Sequence, residues 1–265
     1  MPDIAAYAGR IKMNILFTIC GRAGSKGFKN KNLKKLNDIP LVYYTLSVIR
    51  LYMDNHPEEN ITVALNTDSR ELQQLIKDQN IVANVMMAER KDDLAGDVAA
   101  KVKVIQDTYF QCRDKSDFDV IVDLDITSPM RRLCDVEAAI DNLISDQTCD
   151  LVFSVVPARR SPYFNMVEQK DTYYRKICQS QYTARQQAPV SYELNASIYA
   201  YNPKFLANEI DKTILDYNCG IIVMPDYLVL DIDSEEDFEM MEMLFGYFLK
   251  KEQKLREIVN NILVF

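Results

Sequence analysis

The chain has 265 residues, 48% of them hydrophobic and 26% charged, with 31 Lys+Arg against 39 Asp+Glu and a net charge of −8. Such a composition is globular and able to bury a sizeable core, and its acidity argues against non-specific duplex binding through a basic surface. The single histidine, His56, excludes HExxH and three-histidine metal sites and leaves a Ser-His-Asp triad only if His56 is its base.

Residues 1–12 read as a loose N-terminal extension, because a clean apolar strand begins just after Met13. Strand-like runs follow at 14–20, 61–65, 83–87, 120–124 and 151–156, separated by segments of helical period at 41–53, 70–77, 98–110 and 136–144. This alternation predicts βαβ units and an α/β fold with a doubly wound, mostly parallel sheet. Asp135 is placed as N-cap of the helix near Val136. After Val156 the texture changes to a strand-rich insertion over 157–194, with a hairpin at 163–168 and 173–179. Apolar alternation resumes at 195–201, 220–224 and 228–231, and one long amphipathic helix over 235–260 closes the chain. A single domain over 13–265 carrying an inserted arm is expected. The six scattered cysteines lack a CxxC pair and read as reduced thiols of a cytoplasmic protein; no apolar run approaches ~18 residues, so no membrane partner is expected.

The densest chemical signal follows the first strand. Residues 22–35 hold six cations and no acid, with glycines at 21, 24 and 27 that let backbone amides converge. Amides together with Arg22, Lys26, Lys31 and their neighbours suit a polyphosphate, and the loop leaves the carboxyl end of a strand, where open α/β sheets bind ligands. The spacing GxxGxxG is neither the dinucleotide fingerprint nor Walker A. Two Asp-x-Asp doublets, Asp123/Asp125 and Asp231/Asp233, end apolar runs; each is open to two readings, a Mg²⁺ site or helix caps. Polar stretches at 126–132 and 185–199 add Thr127, Ser128, Arg131, Arg185, Gln186 and Asn195.

In this order, over residues 14–240, the motifs resemble the acylneuraminate cytidylyltransferases, which activate nine-carbon α-keto acid sugars. The loop from Cys20 to Leu33 looks like the family's signature loop. Arg90, Leu94, Ala95 and Asp97 resemble its RPxxLAxD stretch, and residues 125–131 its QPTSPLR loop. Residues 185–199 resemble RQxxP followed by NxA/S-IY, and Asp231-Ile232-Asp233 the DID motif. The resemblance implies that Arg22, Gly24, Ser25, Lys26, Lys31, Asn32, Arg90 and Asp97 bind CTP. It implies that Asp125, Thr127, Ser128, Arg185, Gln186 and Asn195 border the sugar, and that Asp231 and Asp233 hold Mg²⁺. Arg22, Lys26, Asp231 and Asp233 would then carry catalysis, and the 157–194 arm would cross to a partner in a homodimer. Two departures, Asp125 for the family glutamine and Glu193 for an arginine, together with the VPARR and NASIY phrases, resemble the bacterial branch that activates legionaminic acid. Two rivals are another Asp-x-Asp nucleotide-sugar enzyme (a sugar-1-phosphate nucleotidylyltransferase or a glycosyltransferase) and a non-catalytic nucleotide sensor.

Overall fold

A computed structural model describes residues 12–24, 27–96 and 99–265. The strands are β1 (Asn14–Cys20), β2 (Lys35–Leu36), β3 (Ile39–Pro40), β4 (Asn60–Thr67), β5 (Met86–Glu89), β6 (Val120–Leu124), β7 (Leu151–Pro157), β8 (Val167–Lys170), β9 (Tyr173–Lys176), β10 (Tyr192–Tyr201) and β11 (Cys219–Val223). The helices are α1 (Leu41–Asn55), α2 (Arg70–Asp78), α3 (Lys101–Cys112), α4 (Leu133–Ser145), α5 (Pro203–Leu206), α6 (Glu235–Lys251) and α7 (Gln253–Leu263). Seven strands form one sheet in the order β11-β7-β10-β6-β1-β4-β5. Its pairings are parallel except at β10, which runs antiparallel to both β6 and β7. The expected α/β sheet is therefore present.

Strand alternation divides the core into two layers. From β1, Ile15, Phe17 and Ile19 join the larger cluster with apolar residues of α1, α2, α4, α6 and α7. Leu16 of the same strand points the other way, to α3, Tyr199, Tyr201 and Phe205. Each fully buried Leu, Ile or Phe in these layers contributes roughly 1.5–3 kcal/mol relative to an exposed one. The two layers clamp the sheet and leave its strand ends for chemistry.

Several sequence expectations shift. The run at 83–87 becomes a strand only from Met86, because Asn84 takes a left-handed conformation (φ 57) that breaks extension. Residues 228–231 do not form a strand. Leu228 ends a single 3-10 turn, and the Ile232 amide donates to the Thr127 carbonyl (3.1 Å) in place of a sheet partner. The closing helix breaks at Glu252, whose extended backbone turns α7 so that Leu255, Ile258 and Ile262 are buried and the Ser47 hydroxyl reaches the Ile258 carbonyl (2.7 Å). Asp135 is the third residue of α4, not its cap; its carboxylate accepts from the Arg132 amide (3.0 Å) and guanidinium. The hairpin shortens to β8 and β9, since the Ser161 carbonyl collects the amides of Phe164, Asn165 and Met166 into a turn. Between β7 and β10 the chain leaves the sheet, and an Ala158 amide to Ser191 carbonyl bond (3.0 Å) closes the base of that excursion. The expected extension at 1–12 lies, but for Lys12, outside the described residues.

Candidate active site

β1 pairs in parallel with β4 on one side and with β6 on the other, so the order in which the chain adds strands to the sheet reverses beside it. That switch point opens a crevice at the carboxyl ends of the strands. A cleft of about 180 Å³ lies there, walled by Arg22, Lys31 and Arg90, with Asp125, Thr127, Lys101 and Asp231 also lining it. A larger hollow of about 560 Å³ lies near His56, Glu59 and Lys115, beside the amino end of β4. His56, Glu58 and Glu59 are the only metal-ligating trio within ligand spacing among the described residues, but no cationic loop or Asp-x-Asp motif meets them.

The cationic loop is tied down at several points. The Ala23 amide donates to Asp68 (2.7 Å), and the Asn32 side-chain amide donates to the Arg22 carbonyl (3.1 Å). Gly24 has φ +66, where a side chain is strained, and a Cβ on Gly27 would lie 2.8 Å from the Asp233 carbonyl. That close approach brings the loop against residues 231–233. There the Lys31 ammonium donates to Asp233 (2.7 Å) and to the Ile232 carbonyl (3.1 Å). Ser25, Lys26 and Asp97 lie outside the described residues.

Arg90 is braced from two sides, its Nε donating to the Leu94 carbonyl (3.0 Å) and its Nη1 to Asn66 (3.4 Å). Burial holds its guanidinium below its ordinary value despite nearby negative groups.

The 125–132 loop is built around an arginine. Arg131 is fully buried, and its guanidinium donates to the Ser128 carbonyl (2.7 Å) and the Asp125 carbonyl. Burial pulls it down to about 10, against the pull of Asp125, Asp123 and Asp231, so it stays charged at neutral pH. β10 completes the loop's support. Its register slips between Leu194 and Tyr199, and Ala196 sits at φ 53. This bulge lets the Ser197 carbonyl accept from the Asp125 amide (3.2 Å) and the Asn195 carbonyl from the Ser128 hydroxyl (3.2 Å).

The two doublets differ. Asp123, at the end of β6, is fully buried and accepts from the Thr18 hydroxyl (2.8 Å). Asp125 accepts from the Thr127 amide (2.9 Å) and hydroxyl (2.7 Å). Both carboxylates meet one ammonium, that of Lys101, which lies 2.9 Å from Asp123 and also binds Asp125. The doublet thus neither caps α4 nor stands open to a metal. Burial alone would raise the Asp125 carboxyl, but Lys101 and the Thr127 bonds outweigh it and hold it below the ordinary range. Asp231 lines the cleft and accepts from the Ser128 hydroxyl (3.2 Å); burial, then the Asp125 charge, raise its carboxyl. Asp233 is exposed on the Lys31 side. Since 231–233 is not a strand, the period-two argument does not place this pair; the loop contacts do. The oxygen donors suit a hard divalent cation, with Asp231 in the cleft and Asp233 exposed beside the loop, where a bound cation would displace the Lys31 ammonium.

Three expected sugar contacts stand apart. The Asn195 side chain is buried, accepting from Ser154 (2.6 Å) and donating to the Leu228 carbonyl (2.9 Å), so its amide is spent inside the core. Arg185 and Gln186 are exposed on the excursion, and Arg185 donates to the Ala158 carbonyl (2.8 Å). Lys101 was not among the expected site residues. Its one sequence signal is a cation in the first turn of a helix, where the macrodipole disfavours it.

Fold and site together are of an α/β class, with a cleft at the switch point of a mostly parallel sheet lined by cations and carboxylates. Comparisons with known proteins sharpen that class. A family model described as cytidylyltransferase matches residues 16–258. A post-translational flagellin modification protein B of Campylobacter coli is 35% identical over 248 residues, covering 91% of this chain and 97% of that protein. A CMP-N,N'-diacetyllegionaminic acid synthase of Campylobacter jejuni is 35% identical over 234 residues, covering 88% and 95%. In fold, the chain is similar to a CMP:2-keto-3-deoxy-manno-octonic acid synthetase complexed with CTP, with a TM-score of 0.66 at 14% identity and coverage of 89% and 100%. The chain belongs to the cytidylyltransferase family.

Proposed function

We propose that this cytidylyltransferase transfers CMP from CTP to the anomeric hydroxyl of a nine-carbon α-keto acid sugar, of legionaminate type in preference to sialate, and releases pyrophosphate. The observation that carries the reading is charge of both signs in one cleft: Arg22, Lys31, Arg90 and Lys101 line it together with Asp125 and Asp231. The cations suit a triphosphate and the carboxylates suit hydroxyl or amide donors of an acceptor. The CMP-N,N'-diacetyllegionaminic acid synthase, near-full-length at 35% identity, supports the sugar class, and the flagellin modification protein supports a product destined for modification of a surface protein. Asp125 replaces a neutral amide and supports an acceptor other than N-acetylneuraminate.

In-line attack of the anomeric hydroxyl on the α-phosphorus forms the new O–P bond as the bond to pyrophosphate breaks. Such a transfer needs positioning and charge neutralisation more than a covalent nucleophile. Arg22, with Lys26 of the same loop, offsets charge on the departing pyrophosphate, and braced Arg90 faces the base. Mg²⁺ held by Asp231 and Asp233 would supply electrophilic assistance at the phosphates. The alternative to this metal role is that Asp231 acts instead as the base for the hydroxyl proton; burial, then the Asp125 charge, raise its carboxyl.

The test is pyrophosphate release with CTP, Mg²⁺ and a panel of nonulosonic acids. The legionaminate analogue should be turned over faster than N-acetylneuraminate. Asp231→Ala should lose about 10²-fold or more in turnover, the scale of removing one transition-state stabiliser. Near-wild-type turnover in Asp231→Ala would sink the assignment, and activity with sugar 1-phosphates instead would favour the rival nucleotide-sugar enzyme.

A further inference from the structure

Lys101 is the first residue of α3, with its positive charge at the positive end of the helix dipole, a position that local helix energetics disfavour. Its side chain nevertheless turns inward. The ammonium lies 2.9 Å from the Asp123 carboxylate, donates to Asp125, and stands 5.2 Å from the centre of the Tyr199 ring. Asp123 in turn is fixed by the Thr18 hydroxyl, and Asp125 by Thr127. The result is one chain of contacts, Thr18–Asp123–Lys101–Asp125–Thr127, running from inside the sheet to the cleft. A fully buried carboxylate such as Asp123 needs a partner to be tolerated, and this partner reaches onward to a group in the cleft.

Lys101 also lies between two hollows. Among the described residues it is the only one that lines both the cationic cleft and a second, mostly apolar pocket of about 250 Å³ walled by Tyr199, Tyr201, Val102 and Ile214. Asp123 and Asp125 against one ammonium leave that pair with about one negative charge. Without Lys101 it would carry two, facing an acceptor that is itself an anion on the proposed reading. The triphosphate has its own cations in the cleft, Arg22, Lys31 and Arg90.

We propose that Lys101 is a positioning residue for the acceptor: anchored by Asp123, it fixes the Asp125 carboxylate in the cleft and halves the charge of the Asp123–Asp125 pair. The role rests on the reading that Asp125 faces the acceptor sugar. It requires Lys101 to influence the acceptor much more than CTP.

Lys101→Gln removes the charge but keeps a donor. In steady-state kinetics it should raise KM for the acidic acceptor about tenfold or more, the scale of one charged hydrogen bond. KM for CTP should stay within about twofold, well under the ~1.4 kcal/mol that a tenfold change represents. Lys101→Arg, which restores the cation, should recover much of the acceptor KM. If Lys101→Gln does not fold, Lys101→Gln/Asp123→Asn removes the buried charge together with its partner and keeps the net charge, so a selective rise in acceptor KM, smaller than in the single variant, is expected of it from the loss of Asp125 positioning alone. An unchanged acceptor KM, equal rises for both substrates, or Lys101→Arg as defective as Lys101→Gln would each overturn the role. Failure of the wild-type enzyme to turn over any nonulosonic acid with CTP is a separate result, which overturns the functional reading and this role with it.

Discussion

The Asp125 side chain accepts from the Thr127 amide and hydroxyl and from Lys101, while its backbone carbonyl takes the buried Arg131 guanidinium. Its carboxyl is held below the ordinary value of 3.8, so it releases its proton more readily folded than unfolded. Such a group adds stability that is fully present above the unfolded value and is lost as pH falls through the folded one. Lys101 supplies the largest favourable influence on it. In Lys101→Gln, acid unfolding followed by circular dichroism should therefore begin at a higher pH than in the wild type; coincident acid transitions would contradict the coupling. The chemistry of Asp125 was legible in the sequence as half of a doublet, but its partner was not. Lys101 lies 22 residues before Asp123, on another element, and only the β1–β6 pairing and the docking of α3 on the sheet bring the two together.

At the scale of elements, β10 shows how a strand supports a neighbouring loop. Its bulge sends two backbone groups, the carbonyls of Asn195 and Ser197, to the loop that carries Asp125 and Ser128. The cost is Ala196 at φ 53, a left-handed conformation that disfavours an L residue by roughly 1–2 kcal/mol. Ala196→Gly should relieve that strain and raise Tm by a few degrees, on the usual scale of about 2–4 °C per kcal/mol for chains near this size. Ala196→Val should lower it. A glycine variant that melts earlier than the wild type would mean that the methyl group packs more favourably than the backbone is strained. The NAS segment was visible as a polar interruption of an apolar strand, and a sugar contact was expected of Asn195. The amide instead serves Ser154 and Leu228, because the bulge turns it toward the core. Similarly, the second doublet sits beside the phosphate-type loop through Gly27 and Lys31, not through strand alternation.

For the whole molecule, the βαβ order was readable because alternating apolar periods survive along the chain, and the sheet confirms it. Strand order was not readable, since an antiparallel β10 between β6 and β7 depends on how the chain returns from its excursion. That excursion carries Tyr173 and Tyr174, 68% and 69% exposed, with Val167 and Val190 also in solvent. A two-stranded ribbon cannot build a core of its own. We expect a second copy of the chain to cover it, giving a homodimer. Light scattering after size exclusion should return twice the chain mass at micromolar concentration. Replacing residues 159–190 with a short Gly-Ser link across the Ala158–Ser191 closure should return a monomer; a fully active wild-type monomer would refute the expectation.

The placement of Arg22, Lys31 and Arg90 around one cleft also sets the range over which a nucleotide is attracted. From afar, a triphosphate meets a body of net charge −8 and is repelled. Within about one Debye length of the cleft, ~8 Å at physiological ionic strength, the local cations dominate. Added salt weakens both the outer repulsion and the inner attraction. Capture of the nucleotide is therefore decided at contact rather than by steering from a distance, so its association rate should vary little with ionic strength while its residence time shortens as salt rises.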